Sequence, residues 1–183
     1  MPNSFFYLLK VSYFGGMILA FDTYYFNDTA KTVALAFNWP DDKPHAVYTE
    51  TLTGIEEYVP GAFYRRELPC ILSLLKQIDL TDIDCIIVDG FVYLDDNATH
   101  GLGAHLYEAL NQKTPIIGVA KTNFATIEKL KVPVLRGDSK NPLYVTAIGT
   151  GLKAAVNNVA MMHGSYRIPT LLRELDRLTK DGV

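Results

Sequence analysis

The sequence predicts an α/β protein on a mixed sheet, three antiparallel strands followed by parallel ones, with helices on both faces. Three observations carry this. The first third of the chain has the two-residue period of strands, in "MILAFDTYYF" (17–26), "AKTVALAFNW" (30–39) and "HAVYTETL" (45–52). From Gly61 the period becomes that of a helix. Two later apolar runs, "DCIIVD" (84–89) and "TPIIGVA" (114–120), each follow a helical segment, so right-handed crossovers make them parallel neighbours.

The elements follow in order. "FNDT" (26–29) suits a tight hairpin turn between the first two strands, and "WPDDKP" (39–44), with two prolines, turns the chain into the third. Over Gly61–Ile78, Phe63, Leu68, Ile71, Leu72, Leu75 and Ile78 recur at helical spacing, and Pro69 predicts a kink or a late start. "GLGAHLYEALN" (101–111) is an amphipathic helix. "VPVLRG" (132–137) and "PLYVTAIG" (142–149) read as a further strand pair. "LKAAVNNVAMM" (152–162) and "PTLLRELDRLTK" (169–180) are the closing helices, the last with Pro169 near its first position. This order of elements is that of a ribonuclease H-like fold, an analogy of architecture that carries no function by itself.

Composition bounds the rest. With 183 residues, 49% of them hydrophobic and 20% charged, the chain reads as one globular domain, 1–183. A net charge of −3 gives no global reason to bind nucleic acid, although a local basic face remains compatible with it. The apolar start lacks a basic leader region, is split by Lys10, and from Val11 to Phe21 is too short to span a membrane, so a cytoplasmic protein is expected. Cys70 and Cys85, each inside an apolar run, read as small core residues in a reducing compartment rather than as a disulfide or metal site.

The chemistry-bearing residues are acids in unexpected company. Asp22 lies within the first apolar strand and Asp89 ends the fourth, followed by Gly90. On parallel neighbouring strands the two meet at the carboxyl end of the sheet, where open α/β sheets bind ligands. Asp89 alone suits a turn cap, and Asp22 alone needs a partner. Together they suit a divalent cation, which removes the repulsion between two poorly hydrated carboxylates, and Mg²⁺ often takes only one or two protein carboxylates. Glu67, at the polar start of a helix, reads as a solvated glutamate, as Arg65 and Arg66 read as solvated cations. Lys121 follows the fifth strand at the same sheet edge as Asp89, where it serves either as a surface residue or against phosphate charge. His105, on a helix of small and apolar residues, reads as a packed, hydrogen-bonded histidine, and His163 suits a helix C-terminus.

"FDTYY" (21–25), "YVPGAFYRRELP" (58–69), "IIVDG" (86–90), "GLGAHL" (101–106), "IIGVAKT" (116–122) and "YRIPTLLRELDRL" (166–178) occur in that order. The set resembles endonuclease V, the deoxyinosine 3′ endonuclease family, from about Met17 to the C-terminus. The resemblance implies a ribonuclease H-like fold and a Mg²⁺-dependent endonuclease of DNA repair. Such an enzyme cuts one phosphodiester beyond the 3′ side of a deaminated base such as inosine, in DNA, with RNA left open. It implies Asp22 and Asp89 as metal ligands, Glu67 as the third catalytic acid and Lys121 as the catalytic lysine. "EYVPG" (57–61) stands where the family has its "PYIPG" wedge, which implies Tyr58, Pro60 and Gly61 against nucleic acid, with Tyr58 inserted, and Arg66 and Gly90 beside them. The alternative is a nucleic-acid-binding module with the same fold and weak or lost cleavage.

The chain departs from the family pattern after the fourth strand. "DGFVYLDDNATH" (89–100) replaces "DGHG…HPRR", so Asp95 and Asp96 stand where basic residues would favour phosphate, and the family's late histidine near "AIGTGLK" is absent. A reduced preference for the deaminated base is the expectation.

Overall fold

The computed structural model describes residues 16–55, 63–124 and 126–183. β1 (Met17–Phe26), β2 (Thr29–Phe37) and β3 (Ala46–Thr53) form an antiparallel meander. Its first turn uses Asn27 at φ +53°, a backbone conformation asparagine tolerates well. Then come α1 (Phe63–Leu75), β4 (Ile83–Asp89), α2 (Leu102–Ala109) and β5 (Ile116–Ala120). β4 pairs in parallel with both β1 and β5, as the crossovers predict.

β6 (Val132–Val134) and β7 (Leu143–Ile148) form the expected antiparallel pair, and the chain closes with α3 (Leu152–Met161) and α4 (Thr170–Lys180). Among the described residues the seven strands make one mixed sheet in the order β3-β2-β1-β4-β5-β7-β6. β7, antiparallel to β5, lies inside β6. Pro133 has no N–H to give a further neighbour, which suits short β6 to the edge.

Strand alternation sorts the core into two layers. Ile18, Ala20, Ile87 and Val119 pack with Ala155 and Val159 of α3 and Leu171 and Leu175 of α4. Leu19, Phe21, Ile86 and Val88 pack on the other face with Ile71 and Leu74 of α1 and Leu102 and Leu106 of α2. Helices therefore cover both faces.

Two expectations for α1 are corrected. Of the kink or late start expected at Pro69, the late start is excluded, because the helix begins at Phe63 and runs through Pro69. That residue is exposed, so the ring and the missing hydrogen bond face solvent. The buried face is Glu67, Cys70, Ile71, Leu74 and Leu75, while Phe63, expected inward, is 40% exposed. The cysteines are free and buried as expected, and burial pushes the Cys85 thiol up to about 12. Among the described residues no helix is long and apolar enough to cross a membrane.

Candidate active site

The parallel pairing of β1 with β4 aligns Phe21 with Val88, which sets Asp22 next to Asp89 one residue on. Because side chains alternate, Asp22 and Asp89 share the face of Ile18, Ala20 and Ile87, beneath α4. Lys121, two residues beyond Val119 of that layer, closes the group: its Nζ donates to Asp89 Oδ2 at 2.7 Å. Glu67 reaches the same edge from α1, on the other face, and is 2% exposed. The solvated reading of Glu67 is thereby overturned. The helix that looks polar at its start turns this residue inward, against Tyr25.

The electrostatics record that crowding. Burial first, then the charge of Asp89, raises the Asp22 pKa to about 6. Burial, then Asp22 and Asp89, push Glu67 well above the ordinary carboxylate range. Lys121 is pulled down by burial, but Asp89, Asp22 and Asp176 outweigh this, so its pKa ends above the usual lysine value. Tyr25 Oη donates a long hydrogen bond, 3.4 Å, to Glu67 Oε2. Burial and the adjacent Glu67 keep that phenol protonated at any ordinary pH.

Asp22 and Glu67, whose proton affinity is raised by burial and by neighbouring carboxylate charge, make with Asp89 a set of three hard oxygen donors that fits a divalent cation of the Mg²⁺ class. They are not drawn tightly together. Among the described residues the metal-ligating trio with ligand atoms within 4.8 Å of one another is His100, His105 and Glu108. At the sheet edge Lys121 instead neutralises Asp89.

The loop leaving Asp89 is held from below. Gly90 has φ +145°, a conformation that favours glycine, and Val92 N–H donates to Thr146 Oγ1 at 2.9 Å. A Cβ on Gly118 would meet Gly90 O and Thr146 Oγ1 at 2.5 Å, so β5 needs glycine there for the loop to lie this close. Further along, Asp95 accepts from Asn97 N and from Thr99. Asp96 accepts from the backbone N–H groups of Glu128, Lys129 and Leu130. These acids, which sequence places where the family is basic, are engaged inside the protein: Asp95 within its own loop, Asp96 with the backbone of residues 128–130.

The family model described as endonuclease V matches residues 8–177. The chain belongs to the endonuclease V family. No curated protein matches the sequence. Human ENDOV superposes with a TM-score of 0.73 at 20% identity, over 91% of this chain and 83% of the human one. Endonuclease V from Ciona intestinalis, solved with a 24mer DNA containing an inosine followed by a ribo-adenosine, gives 0.77 at 18% identity, over 90% and 84%. Streptomyces avermitilis endonuclease V gives 0.71 at 24%, over 90% and 80%. The fold is the ribonuclease H-like fold of these endonuclease V structures, and the chain is a member of a nuclease family.

Of the residues that resemblance to endonuclease V singled out, the fold brings Asp22, Glu67, Asp89 and Lys121 to one edge. Gly90 follows directly in the chain. Arg66 stacks on the Tyr25 ring, its guanidinium carbon 3.6 Å from the centroid, so it lies behind Glu67. Tyr58, Pro60 and Gly61 lie outside the described residues.

Sequence reading missed three residues of this neighbourhood. Asp176 of α4 has Oδ1 4.0 Å from Lys121 Nζ and adds its charge to Asp22. Arg167 donates to the carbonyl oxygens of Lys121 and, at 2.9 Å, Pro142, which fixes the backbone that carries the lysine. Tyr25 is the third. A signal existed for Asp176: Leu172 lies one helical turn before it on the inward stripe of α4.

Proposed function

We propose that the chain is a Mg²⁺-dependent endonuclease that cuts a phosphodiester 3′ to a deaminated base, inosine, in DNA, with residues 1–183 as one catalytic domain. The reading is carried by the convergence of Asp22, Glu67 and Asp89 with Lys121 where the carboxyl ends of β4 and β5 lie beside the middle of β1. It is supported by membership of the endonuclease V family and by the inosine-containing DNA in the Ciona intestinalis structure.

In this reading Asp22 and Asp89 hold the cation and Glu67 completes the acidic site. When bound, Mg²⁺ supplies charge neutralisation at the phosphoryl group and lowers the pKa of water. Glu67, kept under Tyr25 and away from bulk solvent, holds a proton readily and can pass it to or from water at the scissile phosphate. Lys121 carries a fixed positive charge next to Asp89 and meets the charge that develops on the phosphoryl oxygens. Arg167 keeps that lysine from drifting with its loop.

An aromatic cavity of about 210 Å³ opens beside Asp89, lined by Phe63, Tyr64, Gly90, Phe91 and Phe124 among others. Its shape and lining suit a base removed from the stack, which needs apolar walls on its faces and polar backbone at its edge. A groove on the other side of the edge carries Lys43, Arg173, Arg177 and Lys180 between acids. Such exposed ion pairs are weak, and a phosphate backbone can exchange for the acids. Tyr58, with Pro60 and Gly61, forms the wedge in this reading, and a stacked base there contributes roughly 1–3 kcal/mol.

The decisive experiment is cleavage of a labelled inosine-containing oligonucleotide beside its adenine control, with and without Mg²⁺. Mg²⁺-dependent nicking of the inosine strand is expected. Binding of either oligonucleotide without nicking in Mg²⁺ would refute the nuclease reading.

A further inference from the structure

A second cluster of ligating side chains lies away from the carboxylates, at the start of α2. His100 precedes the helix, His105 is in its first turn, and Glu108 stands three residues further on, on the same side. One ligand atom from each lies within 4.8 Å of the others. His100 Nδ1 and Glu108 Oε2 are 3.5 Å apart. Two donors on a tetrahedral Zn²⁺, each about 2.0–2.1 Å from the ion, are about 3.3–3.5 Å apart. One edge of such a tetrahedron is therefore already formed, and small rotations of His105 complete the face.

The scaffold around these groups is fixed. His100 forms an isolated β-bridge with Tyr93. Gly101 N–H donates to Val92 O at 2.8 Å, and a Cβ at Gly101 would meet Phe91 O at 2.6 Å, so the turn that delivers His100 is tight against the loop leaving Asp89. The His105 ring lies flat on Tyr64, with centroids 3.8 Å apart and planes 20° from parallel. It was expected to be packed and hydrogen-bonded; it is packed, and among the described residues its ring nitrogens have no hydrogen-bond partner.

We propose that His100, His105 and Glu108 form a second metal site, for a transition-metal divalent cation of the Zn²⁺ class. Two imidazoles and one carboxylate select Zn²⁺ or its neighbours over Mg²⁺, which prefers oxygen throughout. Three protein ligands leave a fourth position open to water or a ligand atom. A bound ion ties the 91–100 segment to α2 and, through the stacked His105, to Tyr64 of α1. Tyr64 and Gly101 line the aromatic cavity beside Asp89, so the ion stiffens two of its walls. This does not depend on what the cavity binds. The rival is an exposed His100–Glu108 ion pair beside a stacked His105, which binds no metal.

The test is calorimetric titration of metal-free full chain with Zn²⁺ at neutral pH, with the visible absorption of Co²⁺ as the report on imidazole coordination. The wild type and Asp89→Asn are expected to take up one equivalent. His100→Asn, at a partly exposed position, and Glu108→Gln, at an exposed one, both outside the core, are expected to weaken that uptake tenfold or more, with unchanged circular dichroism. His105→Asn should do the same. Unaltered isotherms in His100→Asn and Glu108→Gln would overturn the site. So would uptake that survives in them and vanishes in Asp89→Asn, because the ion would then lie among the carboxylates.

Discussion

Lys121 Nζ donates to Asp89 Oδ2 at 2.7 Å, and the same nitrogen lies 4.0 Å from Asp176 Oδ1. One lysine at the end of β5 thus balances acids from β4 and α4, and its charge also lowers the proton affinity of Asp22. Lys121→Met should reduce single-turnover cleavage of an inosine oligonucleotide by roughly 10²–10³-fold, the usual effect of removing one charge-stabilising donor. The acid limb of its pH–rate profile should move upward, since Asp22 loses a stabilising cation. An unmoved limb would separate Lys121 electrically from the acids.

Asp22 predicts a trade of stability for function. Its pKa is about 6 in the fold against 3.8 in the reference state. The folded protein therefore binds the extra proton between those values, and stability falls as pH rises from about 4 to about 6. The loss is at most about 3 kcal/mol in metal-free protein, taking 1.36 kcal/mol per unit. Asp22→Asn should raise the Tm of metal-free protein at pH 7, with little effect at pH 4, and abolish cleavage. Mg²⁺ should stabilise the wild type more at pH 7 than at pH 5. Thermal melts at the two pH values check both.

Tyr25 acts through Glu67. Its hydrogen bond lowers the Glu67 proton affinity, against the larger opposing effect of burial. Tyr25→Phe should slow cleavage roughly tenfold or more, as loss of a group that orients an acid does. It should also shift the acid limb of the rate profile upward, a readout that loss of packing alone would not produce.

Asp96 tests the loop that departs from the family pattern. Hydrogen bonds from three successive backbone N–H groups outweigh the cost of burial and hold its pKa below the usual carboxylate value. Asp96→Lys should therefore lower Tm by a few degrees. It should not improve the inosine-to-adenine rate ratio, because the charge it replaces serves the backbone and not the cavity. A ratio that rises several-fold would restore the view that this acid repels the substrate.

The sequence by itself determined the elements and their order. Two-residue alternation in β1 to β3 and the apolar runs of β4 and β5 depend on local composition and burial, and both are readable from pattern. It also pointed to a meeting of Asp22 and Asp89 on the condition that their strands are parallel neighbours, a condition the β1–β4 pairing meets. Tertiary structure decided the rest. Glu67 looks solvated in its own helix and becomes buried only because α1 packs that side toward Tyr25. Asp176 and Arg167 join the site from over forty residues beyond Lys121, through the way α4 and its lead-in settle on the sheet. Asp96 turns from a charge facing substrate into a cap because a backbone turn 32–34 residues later presents three N–H groups to it. Periodicity reports which side of an element is apolar, but the partner of a polar side chain depends on distances that only the packed chain defines.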